Sequence, residues 1–136
     1  MIITDIATIN RMAEEVASIP TSFVNVDAYD FVLLHRYSDY IQAIRMEVTT
    51  LEKSTFDVLA SFLQAMETEK VSSSIFYLML NGDQSVEIQS EQIPWIYSFV
   101  ENNLPEVDVC YGVGKKQGDG VGITIMLFLG FKDKSL

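Results

Sequence analysis

The sequence is poor in the residues that staple or anchor a chain. Its single cysteine, Cys110, permits no intrachain disulfide, and such a chain suits a reducing compartment. Cys110 sits in the strand-like run Val107-Asp108-Val109-Cys110-Tyr111, with no Lys or Arg beside it to stabilise a thiolate, so it reads as a packed thiol rather than a nucleophile. His35 is the one histidine. It has no Cys/His ligand spacing around it and no nucleophile elbow, which leaves a solvated or packed helical side chain and no zinc-type centre. Neither a metal nor a cofactor is expected. No apolar run reaches the roughly 18 residues of a membrane span. The opening MIITDIATINRMAEE lacks the basic and unbroken apolar regions of a signal peptide, so the expected location is the cytoplasm.

Cations are also scarce. Nine Lys and Arg face 19 Asp and Glu, a net charge of −10. Such a surface repels phosphodiester backbones and anionic lipids, which argues against nucleic acid and membranes as partners and favours neutral, basic or metal-bridged ones. It also promotes solubility. What the chain does have is apolar content: 49% of its 136 residues are hydrophobic. That excludes disorder and allows one self-sufficient domain, residues 1–136, with an N-terminal helix over 1–19 and an α+β core over 20–136.

Ile2, Ile6, Ile9, Ala13 and Val16 recur at helical spacing and predict a first helix ending before Pro20. Residues 20–24 read as a connector. Asp27 and Asp30 precede the apolar run Phe31 to Leu34, as a cap and a supporting acid would at the start of a second helix. Tyr40 to Thr49 alternates as a strand whose phase slips, through a bulge or through burial of both faces. Ser54 and Asp57 suggest a capping box for a helix carrying Phe56, Leu59, Phe62, Leu63 and Met66 on one face. Ser74 to Leu80 reads as a doubly covered strand, closed by the turn residues Asn81-Gly82-Asp83. A helix beginning near Glu91 to Pro94 bears Ile93, Ile96, Val100 and Leu104 and stops at Pro105. Val107 to Val113 and Val121 to Phe131 read as closing strands. The predicted class is α+β, a mostly mixed four-stranded sheet packed by helices, with one or two extra helices at the N-terminus.

Glycines crowd residues 112–122 beside Lys115 and Lys116. A phosphate cradle needs its glycine loop to open a helix, whereas this loop runs into the β-branched Val121-Gly122-Ile123-Thr124-Ile125; a hairpin is expected. In Asn25-Val26-Asp27-Ala28-Tyr29-Asp30, two carboxylates and an amide gather at a helix start. They serve either as caps, worth about 1 kcal/mol each, or as a site that positions a water or a cation.

The segment Val24 to Phe31 resembles the synergy loop of the FtsZ/tubulin family, an N-x-D-x-x-D pattern following the central helix, whose end Ile2 to Ile19 resembles. The likeness continues in order through the helix Ser54 to Met66 and the strand Ser74 to Gly82. It extends through the helix Ile93 to Asn103, Val107 to Val113, and the ending Gly118 to Phe131. Nearly the whole chain thus resembles that family's C-terminal domain. The resemblance implies that Asn25, Asp27 and Asp30 match the residues with which one subunit completes the GTP site of the next. Ser22-Phe23-Val24 and Ala28 depart from the family's residues around that loop. No glycine-rich nucleotide loop is present, so no GTPase activity of its own is expected and these three are in-trans candidates at most.

The resemblance implies a non-enzymatic interaction or self-association module, with an FtsZ/tubulin-like GTPase of cell division or a second copy as partner. The rival from another class is a small-molecule enzyme or sensor with its site at an oligomer interface, for which Arg36, Arg45, Lys115 and Lys116 are the anion-binding candidates.

Overall fold

A computed structural model describes residues 1–19, 21–24, 26–83 and 87–133, with residues 21–24 described as backbone alone. Six strands form one sheet: β1 (Ile2–Ile3), β2 (Thr21–Val24), β3 (Tyr40–Val48), β4 (Val71–Asn81), β5 (Asp108–Lys116) and β6 (Ile123–Phe131). The sheet order is β1-β3-β6-β4-β5-β2. Only β4 and β5 run parallel; every other neighbouring pair is antiparallel. The α+β class and the mixed sheet are as expected.

Helices cover both faces. Helices α1 (Ile6–Ala17) and α2 (Ala28–Arg36) pack on one side, where Ile9, Met12, Val16, Phe31 and Leu34 meet Ile75, Tyr77, Met126 and Phe128. Helices α3 (Lys53–Gln64) and α4 (Ile93–Asn103) pack on the other, with Leu59, Leu63, Ile96 and Phe99 against Phe76, Leu78, Ile125 and Leu127. All nine residues of β6 are buried. A strand covered on both faces reads as a continuous apolar run rather than an alternating one, which the sequence Ile123-Thr-Ile-Met-Leu-Phe-Leu-Gly-Phe131 shows. The phase slip in β3 has the same cause. Ile41 and Ala43 face α1 and α2 while Ile44 faces α3 and α4, and its register with β6 runs unbroken from Tyr40↔Phe131 to Val48↔Ile123.

Several expectations are corrected. Two further strands lie at the sheet edges. Ile2 and Ile3 pair with Ile44 and Ala43 instead of opening a helix. The Arg45 amide also donates to the Met1 carbonyl, and unsatisfied edge groups of β3 draw the segment into the ladder. Helix α1 starts only at Ile6, behind Asp5, whose Oδ2 accepts from the Thr8 hydroxyl and amide at 2.6 and 3.0 Å. Those two donors hold the Asp5 carboxyl below its ordinary value. Residues 21–24, expected as a connector, form β2 on the edge of β5. Helix α3 is preceded by Glu52, whose amide donates to Thr55 Oγ1 at 3.2 Å; Ser54 and Asp57 do not form its box. Ile93 is exposed rather than part of the buried stripe of α4.

The glycine segment is not a hairpin, because β4 lies between β5 and β6. The chain crosses the end of β4, and that end takes up the crossing segment's hydrogen-bonding groups. The Gly82 amide donates to the Lys116 carbonyl at 2.8 Å and the Asp83 amide to the Gly118 carbonyl at 3.0 Å, while the Gly118 amide donates to Asp83 Oδ1 at 3.2 Å. The Gly118 amide, so engaged, is unavailable to a phosphate. Gly82 has φ +87°, and a Cβ there would collide with the Gly120 carbonyl.

Gly82→Ala therefore combines an unfavourable backbone conformation with a clash at the crossover. It should lower unfolding free energy by roughly 2–3 kcal/mol, seen as a lower urea midpoint at unchanged slope; an unchanged midpoint would show that the crossover tolerates displacement.

Candidate functional site at the amino end of helix α2

The segment before α2 is anchored by Val26, which is 2% exposed and lies over β5. Gly112 makes the approach possible, since a Cβ there would run into Val26 and the ring of Tyr77. Phe31 and Phe128 meet edge to face with ring centroids 4.9 Å apart, fixing the helix on β6. With one face so committed, the first turn of α2 is set at the surface.

There Asp27 and Asp30 form a reciprocal cap. The Asp30 amide donates to Asp27 Oδ1 at 3.2 Å, and the Asp27 amide donates to Asp30 Oδ2 at 2.9 Å. Two orphan donors of the first turn are satisfied, and both carboxylates lie at the positive end of the helix dipole. The capping role read from their spacing is therefore present in the structure. Asp27 is exposed and Asp30 half-buried. The third residue of the pattern, Asn25, lies outside the described residues.

The outward side of α2 carries two apolar residues near its amino end. Tyr29 is 59% exposed and Val32 is 47% exposed, directly beside the paired acids. Their three-residue spacing, off the Phe31 and Leu34 face, is a signal already in the sequence that periodicity analysis passes over when it looks only for the buried stripe. Below the acids a hollow of about 490 Å³ runs between α2 and the starts of β4 and β5, lined by Asp30, Tyr37, Ser73, Asp108 and Cys110 among others. Burial, then the charges of Asp30 and Asp27, push the Cys110 thiol above its ordinary pKa, which keeps it protonated and poorly nucleophilic.

Three of the four anion-binding candidates are otherwise occupied. Arg45 reaches Glu15 at 3.5 Å and Glu47 at 3.6 Å, and Lys116 reaches the same Glu15 at 3.4 Å. Lys115 Nζ donates to the Asp83 carbonyl at 3.0 Å. Arg36 is exposed in the last turn of α2, next to the exposed His35. Among the described residues no group of three or more His, Cys, Asp or Glu is placed to hold a metal ion, and no helix is long and apolar enough to cross a membrane.

The cap is measurable by itself. Asp27→Ala should cost about 1 kcal/mol in urea unfolding, whereas Asp27→Asn, which can still accept from the Asp30 amide, should cost much less. Equal and negligible losses in both variants would contradict the capping role.

No protein-family model matches the chain, and no curated relative matches it. Among solved structures it is similar to an empty FtsZ dimer from M. jannaschii, with a TM-score of 0.54 and 13% sequence identity. The match covers 86% of this chain and 38% of that one, so these residues span well under two thirds of the FtsZ chain. At that identity the likeness is one of fold, and it agrees with the resemblance to the C-terminal domain read from the sequence.

Proposed function

We propose that the chain is a non-enzymatic interaction module of the FtsZ C-terminal-domain type, which docks through the outer face and amino end of α2. Its partner is an FtsZ/tubulin-like GTPase of cell division or a second copy of itself, in the cytoplasm. The observation that carries this reading is the exposure of Tyr29 and Val32 beside the Asp27–Asp30 cap. Burying a large apolar side chain on a partner is worth about 1.5–3 kcal/mol, and a polar or charged rim around such anchors is the usual anatomy of an interface. The solved FtsZ with this fold is itself a dimer.

The chemistry of the acids fits a contribution in trans. Each carboxylate spends one oxygen on the cap, and the other takes no part in it. Two acceptors held at a helix start can orient a water on a partner's nucleotide without this chain binding one. Its own glycine loop leads into β6 rather than into a helix, so a phosphate finds no helix N-terminus there. The absence of intrinsic GTP hydrolysis and of a bound cofactor follows from the same reading.

The test is steady-state GTP hydrolysis by an FtsZ from the same cell, with this protein in excess. Wild-type protein should change the rate, and Tyr29→Ser/Val32→Ser, which leaves the core untouched, should abolish the change. Asp27→Asn/Asp30→Asn should still bind but lose the effect on hydrolysis. A rate indifferent to the wild-type protein would overturn docking on that GTPase.

A further inference from the structure

On the opposite face of the sheet, α4 leaves a second hollow. Helix α4 is held to β4 through Phe99 and Phe76, with centroids 6.1 Å apart, and touches β5 through an edge-to-face pair of Tyr97 and Tyr111 at 5.1 Å. Between these two contacts lies a cavity of about 390 Å³. Its floor is Phe76, Leu78 and Leu80, each at most 3% exposed. The hollow opens to solvent, so its apolar wall is left in contact with water. A hollow of this size and lining falls within the range of small-molecule sites, roughly 300–1,000 Å³.

The polar lining residues indicate the class of occupant. Tyr97, Tyr111 and the exposed Glu87 line the cavity, and Glu87 is the only charged lining residue among the described residues. No Lys or Arg lines the cavity among the described residues, so a carboxylate or phosphate would enter against a like charge with no counter-ion. Burial, and then Tyr97, raise the Tyr111 pKa, so its phenol stays neutral at physiological pH. An ammonium group, by contrast, meets a charge of opposite sign.

We propose that this cavity is a binding site for a small hydrophobic amine, its apolar body on Phe76, Leu78 and Leu80 and its ammonium group paired with Glu87. The site lies on the face of the sheet away from α2 and does not depend on what α2 binds.

The test titrates phenylbutylamine and phenylbutyrate, matched in body and opposite in charge, into the isotope-labelled chain and follows amide signals. The amine should shift Leu78, Tyr97 and Tyr111 saturably, and the carboxylate should bind at least about tenfold more weakly. Glu87→Gln, at an exposed position, should remove that discrimination while leaving the spectrum otherwise unchanged. Ile93→Trp, at a rim residue 43% exposed, should obstruct the mouth and weaken the amine. Absence of saturable shifts at these residues would overturn the proposal, as would equal affinity for the two compounds. The same shifts appearing on concentrating the protein alone would overturn it too, since a second copy would then cover the cavity.

Discussion

Burial of the adjacent strands β4 and β6 on both faces, throughout β6 and from Ser74 to Leu80 in β4, is the constraint from which the rest of the structure follows. Strands with nowhere to place a polar face require helices on each side, and the chain supplies two for each. Because β4 separates β5 from β6, the connection between them must cross a strand end. That crossing sets the glycine segment against Asn81, Gly82 and Asp83. The parallel β4–β5 pair also needs a crossover connection, and α4 with its approach segment provides it.

The same constraint positions both sites without belonging to either. Phe31 and Leu34 are used to cover Phe128 and its neighbours, which directs Tyr29 and Val32 outward and presents the Asp27–Asp30 cap at the surface. The cap is thus structural and available at once, since satisfying a helix start uses only part of each carboxylate. On the other face, α4 spends Phe99 and Ile96 on the centre of the sheet and reaches β5 through Tyr97, which leaves the apolar hollow between. The proposed docking surface and the proposed ligand cavity lie on opposite faces of one sheet and are independent of each other, and the fold alone specifies the function of neither.

Much of this was legible in the residues, wherever a local signal had no competitor. The Asp27 and Asp30 spacing marked the α2 cap, and the unbroken apolar runs of β4 and β6 marked strands covered twice. The FtsZ-like order of elements agreed with the fold. What failed depended on partners distant in sequence. Ile2 fits a helical stripe until the edge of β3 offers its segment hydrogen bonds, and residues 21–24 read as a connector until β5 does the same. Gly118 to Gly122 looked like a hairpin because nothing local reveals that β4 inserts between the strands it joins. The cavity is illegible for the same reason, being assembled from three elements that are apolar for ordinary reasons.

The central claim is that α2 is an association surface, and sedimentation velocity tests it most directly. Wild-type protein is run alone over a range of concentrations and mixed with FtsZ, beside a Tyr29→Glu/Val32→Glu variant with matched circular dichroism. The account predicts that wild type associates in at least one of these settings and that the variant remains monomeric in both. Identical sedimentation of the two proteins in every setting would contradict it.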